Sequence, residues 1–246
     1  MPRSYRPHSL SYSFGPGPIT PAVKWIIWIN VGAFVATVIR HDLLYVLGVI
    51  PEAVVERFWI WQPVTYMFMH AGPTHILFNM LGIWMFGVEL ERLWGTKFFV
   101  RYYAVTGIGA AITTILVAFL PFEVTHATYR TVTVGASGAL FGILLAFALY
   151  YPDRPILMAL IFPIPAKYFV IIIGALSYFS SPGGVAHAAH LGGLIFGYLY
   201  LQGGRGGLTA EIKYRYLKWK MNRMRRKFDV YSGGKSERSD WDRHVH

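Results

Sequence analysis

Long apolar runs of this 246-residue sequence contain several polar side chains, and polar groups are costly there unless they have a partner or a purpose. Ser137 and His190 occupy two separate runs, and His75 and Asn79 stand four residues apart in a third. A helix places residues four apart on one face. Acyl transfer requires a nucleophile, a base within about 3 Å of it and donors aimed at the developing oxyanion. Ser137 fits the role of nucleophile and His190 that of base. His75 and Asn79 fit the role of oxyanion donors, so the four residues together indicate acyl-transfer chemistry.

Each of these residues also has a simpler interpretation. A lone serine in a membrane helix usually packs or bonds to the backbone, and a lone buried histidine is usually a structural group. The apolar run that contains His190 also contains His187, three residues earlier. In a helix, residues three apart point in directions that differ by about 60°. The sequence leaves a direct catalytic role for His187 open.

Other functional classes have less support in the sequence. The chain has no cysteine, which excludes disulfides and thiol nucleophiles. A metal protease or metal carrier using His70, His75, His187 and His190 would lack an HExxH motif and a nearby carboxylate ligand. A transporter that relays protons through histidines would lack acidic residues in the later apolar runs and an inverted repeat. We therefore expect no metal and no cofactor.

The elements that position these residues are predicted to be membrane-spanning helices. Apolar residues make up 54% of the chain and charged residues only 14%, and the mean hydropathy is +0.41. Core helices of a soluble protein would show more amphipathic surface. The predicted fold class is therefore an all-α polytopic membrane protein with six transmembrane helices at 22–39, 74–93, 98–122, 134–151, 166–179 and 184–202.

Charge sets the expected organisation and orientation. We predict a polar lead over 1–21, a six-helix domain over 22–202 and a basic tail over 203–246. The first apolar run begins too late and is too long for a cleaved signal peptide, so it is expected to stay as an anchor. If the N-terminus is cytoplasmic, only Arg40, Arg57 and Arg130 of the 23 basic residues lie on the outer side of the membrane. Basic residues favour the cytoplasmic side, and six spans return the chain to the side where it starts, so both termini are predicted to be cytoplasmic.

Three connecting segments have unusual composition. The first loop, 41–72, is apolar enough to be expected to lie partly in the outer leaflet and to pack on the bundle. Pro163 and Pro165 interrupt the stretch before the fifth helix, which predicts an interfacial segment over 156–164. The tail over 208–228 has apolar residues on one helical face among lysines and arginines, which predicts an interfacial helix on anionic headgroups. Nucleic-acid binding is not expected, because no recognition motif accompanies these charges.

Small residues recur where two of the predicted helices must touch. Gly138 and Gly142 form a GxxxG pair after Ser137, and Ala189, Gly193 and Gly197 repeat at the same spacing around His190. Such pairs mark close helix contacts. They predict that the fourth and sixth helices approach closely enough for the serine and the histidine to hydrogen-bond.

Several stretches together resemble one family. The matching elements, in order, are WQPVTYMFMH from Trp61 to His70, HILFN from His75 to Asn79 with Gly82 after it, ELERLWG from Glu89 to Gly95, GASGALFG from Gly135 to Gly142, and AHLGG from Ala189 to Gly193. GxSG alone is a weak signal, but this order and spacing are specific. Over nearly the whole span from Trp61 to Tyr200 the chain is similar to the rhomboid intramembrane serine proteases.

The resemblance implies a set of roles. Ser137 and His190 would form a catalytic dyad without an acidic third member, and the last three predicted spans contain no Asp or Glu. The family has an aromatic residue stacked on the histidine, and Phe141 occupies that position, with a phenyl where a phenol is the alternative. His75 and Asn79, with the Ser137 backbone N–H, would hold the oxyanion. Gly135, Gly138 and His187 are the remaining supporting residues of the predicted site.

The resemblance also implies surroundings and substrates. A water-filled cavity would open on the outer side, capped by the loop 180–184, with the fifth helix as a lateral entrance. The expected substrates are single-span membrane proteins with small residues at the cut. A compact six-span core resembles bacterial members, which favours the bacterial inner membrane. A non-catalytic rhomboid-like binding protein is the alternative, but such chains usually lose the serine or the histidine.

Overall fold

The structure, a computed structural model, describes residues 15–121, 128–158, 162–180 and 185–204 of the chain. These residues form ten α-helices, a 3₁₀ turn, a π-helical turn and one small hairpin. The helices are α1 (Pro21–Ile39), α2 (Leu43–Leu47), α3 (Pro51–Glu56), α4 (Gln62–Thr65), α5 (Pro73–Gly82), α6 (Val88–Trp94), α7 (Thr96–Val117), α8 (Ser137–Tyr150), α9 (Ala166–Ser180) and α10 (Val185–Gly204). The 3₁₀ turn is Tyr66–Phe68, the π turn is Ile83–Gly87, and the strands are β1 (Pro155–Met158) and β2 (Phe162–Pro165).

Each of the six predicted apolar segments coincides with helix, and the all-α class is confirmed apart from the hairpin. Within the described residues, two helices, α1 and α7, are long and apolar enough by themselves to cross a membrane. The helix α8 and the 166–177 part of α9 are apolar but shorter. The second predicted segment is continuous from Pro73 to Trp94, but the π turn divides it into shorter helices. The count of six spans therefore stays a prediction.

The described part of the predicted interfacial segment over 156–164 lies in the two strands of the hairpin, and its position at the membrane surface stays a prediction. The two strands pair antiparallel, with Ile156 opposite Ile164 and Leu157 opposite Pro163. Proline breaks a helical ladder, as expected, but it is tolerated in an edge strand because it has no N–H to donate. Both strands of a two-stranded hairpin are edges, so the prolines favour this element over a helix.

The first loop packs on the helices through buried polar groups. Gln62 is fully buried, and its side-chain amide donates to the Tyr45 carbonyl while its oxygen accepts the Ile50 N–H at 3.0 Å. Tyr66, at the end of the loop, donates its hydroxyl to the Gly107 carbonyl of α7 at 2.6 Å. These bonds satisfy polar groups that burial would otherwise make costly. The Gln62 bonds tie parts of the loop to one another, and the Tyr66 bond holds the loop against α7 at the segment that leads into α5.

Glu91 of α6 fixes the start of α1. Its carboxylate is buried and accepts the N–H groups of Ala22 and Val23 at 2.9 and 3.0 Å. It also accepts the Thr96 hydroxyl at 2.7 Å. The first N–H groups of a helix have no partner within the helix, and an anion there is favoured by the helix dipole. A single carboxylate thus joins α1, α6 and α7.

Glycines bring α8 and α10 into backbone contact. A Cβ placed on Gly193 would lie 1.9 Å from the Gly138 carbonyl oxygen, and one placed on Gly197 would lie 3.3 Å from the Gly142 Cα. Tyr102 of α7 closes the same region by donating its hydroxyl to the Gly142 carbonyl at 2.7 Å. Only hydrogen fits between the two helices at Gly193. The predicted close contact between these helices is therefore present.

Replacing Gly193 by alanine is expected to destabilise the fold strongly. The added methyl meets a main-chain carbonyl, which cannot rotate away as a side chain can. Overpacking usually costs about 1–3 kcal/mol of folding free energy, and we expect a loss at or above the upper end of that range. Thermal unfolding in detergent measures it. The matched control is Gly32→Ala in α1, where nothing lies within 4 Å of the new Cβ. An equal melting temperature for both variants would contradict the tight contact.

Some of the sequence predictions concern residues that the structure does not describe. Contacts divide the chain into one unit of Met1–Leu201 and another of Gln202–His246. The polar lead before Gly15, the Ser181–Gly184 part of the predicted cap and the basic tail after Gly204 lie outside the described residues. The predicted boundaries at 21 and 202 stay predictions.

Candidate active site

Ser137 and His190 meet across two helices. Ser137 is the first residue of α8, and its Oγ lies 2.9 Å from Nε2 of His190 in α10. Both side chains are partly buried. The glycine contact one residue after Ser137 and three residues after His190 sets this approach. When the imidazole carries its proton on Nδ1, Nε2 is an acceptor and the serine hydroxyl donates to it, which is the arrangement of a nucleophile with its base.

Phe141 holds the plane of the histidine ring. It lies one helical turn after Ser137, and its ring stacks on His190 with centroids 4.1 Å apart and planes 15° apart. Phe141 is buried. A phenyl face is sufficient for this contact, so the missing phenol hydroxyl does not alter the stacking.

Removing this stack is expected to lower kcat by about 3- to 10-fold, because an aromatic pair contributes about 0.5–1.5 kcal/mol beyond burial. Phe141→Ala should show the loss, and Phe141→Tyr should retain the activity. Phe147→Ala is the matched control, because Phe147 is equally buried on α8 but packs on Phe86 at 5.0 Å. Steady-state cleavage kinetics on the folded fraction measure the effect. Equal kcat losses in the two alanine variants would show that the stack on His190 has no special role.

His75 and Asn79 face the backbone that precedes Ser137. A Cβ on Gly135 would lie 2.7 Å from His75 Nε2 and 3.7 Å from Asn79 Nδ2. Gly135 also has φ of +124°, which L side chains rarely adopt. Glycine is therefore required there both for the turn into α8 and for the close approach of His75.

The Asn79 amide has a free donor. Its Nδ2 is buried and makes no hydrogen bond with any residue that the structure describes. A buried donor without a partner costs free energy, which is recovered if a ligand oxygen binds there. The Ser137 N–H is at the first position of α8, where a helix supplies no internal acceptor. Two donors thus lie beside the nucleophile.

A cavity of about 1020 Å³ contains this site. Its polar wall includes His75, Asn79, Ser137, Ser177 and His190. Its remaining wall is largely apolar and comes from α5, the π turn, α8 and α9, and includes Phe78, Leu81, Met85, Phe86, Leu140, Leu144, Phe169 and Ile173. The cavity therefore joins a small polar centre to a long apolar surface.

The other predicted residues lie around this centre. Gly138 is buried against Ala110 and the Tyr66 hydroxyl, where a Cβ would come within 2.5 and 3.1 Å of them. His187 is half-buried on α10, one turn before His190, and is not among the described residues that line the cavity. The structure thus brings the predicted nucleophile, base and oxyanion donors together, and leaves His187 at their edge.

His70, considered above as a metal ligand, packs its ring edge-on against His75 with centroids 5.0 Å apart. Burial, with a further contribution from His75, lowers the pKa of His70, which favours the neutral imidazole. Within residues 15–121, 128–158, 162–180 and 185–204, no group of three or more His, Cys, Asp or Glu side chains is arranged to hold a metal ion.

One residue of the site was missed from the sequence. Ser177 of α9 places its Oγ 2.8 Å from His190 Nδ1, on the opposite side of the ring from Ser137. A single serine in an apolar helix carries no spacing signal. The one available indication was that it is a polar residue in a predicted span.

Comparison with known proteins agrees with this geometry. The model of the Rhomboid domain matches residues 57–204, which include every residue of the site. The chain belongs to the rhomboid family. As a member of this family it is an integral membrane protein.

Rhomboid relatives occur in several kinds of organism. The chain is 29% identical over 157 residues to "Rhomboid protease GluP" of Bacillus subtilis, covering 64% of this chain and 28% of that protein. It is 31% identical over 153 residues to "Rhomboid protease AarA" of Providencia stuartii, covering 56% and 54%. It is 30% identical over 138 residues to "Rhomboid protein 1, mitochondrial" of Saccharomyces cerevisiae, covering 54% and 38%. The chain thus spans between about a quarter and about a half of the length of these rhomboids.

Proposed function

We propose that this rhomboid is an intramembrane serine endopeptidase that hydrolyses peptide bonds in or near transmembrane segments of membrane proteins. The single observation that carries the proposal is the 2.9 Å contact between Ser137 Oγ and His190 Nε2 inside a cavity with an apolar wall. A neutral serine and imidazole in contact are the minimum set for acyl transfer. Membership of the rhomboid family and the similarity to two bacterial proteins named rhomboid proteases support the same reaction.

The mechanism follows from the atoms in contact. His190 Nε2 accepts the Ser137 proton as Oγ attacks the scissile carbonyl carbon. The tetrahedral oxyanion is bound by the Asn79 amide, His75 and the Ser137 N–H. The imidazolium then gives its proton to the leaving amine, so the peptide bond breaks and an acyl-enzyme remains. Water, deprotonated by the same histidine, hydrolyses the ester and restores Ser137.

The substrate class follows from the cavity wall. Phe78, Phe169 and Ile173 form part of an apolar wall. The polar side chains of a water-soluble peptide would gain little from contact with this wall, whereas a membrane segment presents apolar side chains to it. The peptide bonds of a helix have shielded carbonyls, so the substrate must unwind locally. By analogy with the rhomboid family, the proposed substrates are single-span membrane proteins that unwind near the outer face and have small residues at the cut.

We further propose the membrane arrangement on the basis of charge. With six spans over 22–202, 20 of the 23 basic residues fall on the side of the termini, which supports cytoplasmic termini. A bacterial inner membrane is proposed because a compact six-span core resembles bacterial rhomboids. The basic tail over 203–246 would bind anionic headgroups, at about 1 kcal/mol per basic residue near the surface.

Purified protein in detergent tests the proposed activity. We expect it to cleave a labelled single-span membrane protein, and a fluorophosphonate to form a covalent bond with Ser137, identified by mass spectrometry of the modified peptide. A chelator should leave cleavage unchanged. Inhibition by chelator would indicate a metal-dependent reaction. Stable binding of the substrate with neither cleavage nor labelling would indicate a non-catalytic binding protein.

A further inference from the structure

The histidine of the site has a second hydrogen-bond partner on a third helix. Ser177 Oγ lies 2.8 Å from His190 Nδ1, while Ser137 Oγ lies 2.9 Å from Nε2 of the same ring. Both serines line the same cavity. The three side chains form a continuous chain from α8 through α10 to α9, and the outer member is a neutral hydroxyl.

This second contact bears on which nitrogen is the base, because a hydroxyl at Nδ1 can accept as well as donate. A neutral imidazole has one donor nitrogen and one acceptor nitrogen, and the partner of one fixes the role of the other. When Ser177 accepts the Nδ1–H, Nε2 keeps its lone pair toward Ser137. The reversed tautomer would place a proton on Nε2 and leave the nucleophile without a base.

The contact also complements the aromatic stack. Phe141 of α8 holds the plane of the His190 ring, with 15° between the two planes. Stacking alone permits the ring to flip by 180° about its Cβ–Cγ bond, which keeps the plane but puts carbon atoms where Nδ1 and Nε2 now lie. A hydrogen bond to Nδ1 from α9 removes that freedom. The ring is thus held by two side chains from two different helices.

We propose that Ser177 is a positioning residue that takes the place of the acidic third member in a Ser137, His190 and Ser177 chain. This inference rests on the proposed function. A hydrogen bond from an imidazolium to a neutral oxygen is weaker than one to a carboxylate, by about a factor of two. In exchange, no charge is buried among apolar helices, where an ionised carboxylate is costly. Ser177 acts on the reaction through His190 and does not contact the reacting atoms.

The test compares three variants of the full chain in detergent. Ser177→Ala is expected to lower kcat by about 10-fold, as for loss of one hydrogen bond, with KM changed by less than about 2-fold. The rate of Ser137 labelling by a small fluorophosphonate should fall by a similar factor, because this reaction needs an activated serine but no bound substrate. Ser177→Thr keeps the hydroxyl and should restore most of the rate. Leu176→Ala is the matched control, since Leu176 is the neighbouring residue and is 53% exposed.

A spectroscopic measurement tests the bond without relying on kinetics. Nitrogen-15 NMR of labelled histidine should show His190 as the Nδ1–H tautomer in the unmutated protein, assigned by loss of its signals in His190→Gln. Ser177→Ala should shift it toward a mixture of tautomers.

Several outcomes would overturn the inference. They are unchanged kcat and labelling in Ser177→Ala, an effect on KM alone, failure of threonine to restore the rate, or an Nε2–H tautomer in the unmutated protein. If the unmutated protein neither cleaves substrate nor reacts with the probe, the proposed function fails instead, and the NMR result still decides whether Ser177 sets the tautomer.

Discussion

Replacing Ser137 by alanine is expected to reduce cleavage by about 10⁴- to 10⁶-fold, because Ser137 is the proposed nucleophile and its hydroxyl lies against His190 Nε2. His190→Ala should cause a loss of the same order, since the two side chains are in direct contact at 2.9 Å and act as a unit. The double variant should be no worse than either single one. Initial rates on a labelled single-span substrate, with enzyme near its solubility limit, measure all three.

The thermal stability of the same proteins is the control. Alanine at Ser137 removes one hydroxyl from a half-buried position, so the melting temperature should stay close to that of the unmutated protein. A well-folded Ser137→Ala protein that still cleaves would contradict the assignment of the nucleophile. Losses that multiply in the double variant would contradict a shared step.

Asn79→Ala is expected to lower kcat by about 10²- to 10³-fold with little change in KM, as for removal of one oxyanion donor. The reason is that Asn79 Nδ2 is buried beside the nucleophile and makes no hydrogen bond within the described residues. Its proposed partner is the charge that develops in the transition state, so ground-state binding should be affected little. Progress curves over a range of substrate concentrations separate kcat from KM.

Asn30→Ala is the matched control for this variant. Asn30 is also a buried asparagine on an apolar helix. Unlike that of Asn79, its amide donates to a carbonyl, that of Ile26 in α1, at 2.7 Å. Asn30 is not one of the described residues that line the cavity. It should lower the melting temperature and leave kcat unchanged. If Asn79→Ala instead lowers stability and spares kcat, Asn79 is a structural residue and the oxyanion is bound elsewhere.

Much of the site follows from the sequence because it rests on helical spacing. His75 and Asn79 share a face since they are four apart, and glycines beside Ser137 and His190 mark two helices that must touch. The aromatic residue one turn after the serine was placed by family resemblance. These inferences depend on local periodicity and on known motifs, which a single sequence contains.

Other features depend on contacts that no local pattern reveals. Ser177 meets His190 from a different helix, and the sequence separation of thirteen residues includes a segment outside the described part of the chain. The π turn at 83–87 has no signature in an apolar run. The strand pairing of 155–158 with 162–165 could not be predicted either, since proline excludes helix without choosing between a loop and an edge strand.

The backbone contact between Gly138 and Gly193 has a consequence for protein engineering. Between most pairs of helices, side chains set the interhelical distance, so that distance changes when those side chains are replaced. Between α8 and α10, main-chain atoms set it. Under the proposed function, reactivity would depend on this glycine contact and substrate preference on the cavity wall, which are separate parts of the scaffold. A designer seeking new cleavage preferences would vary the long side chains of the far wall, such as Phe78, Phe169 and Ile173, and keep both glycines.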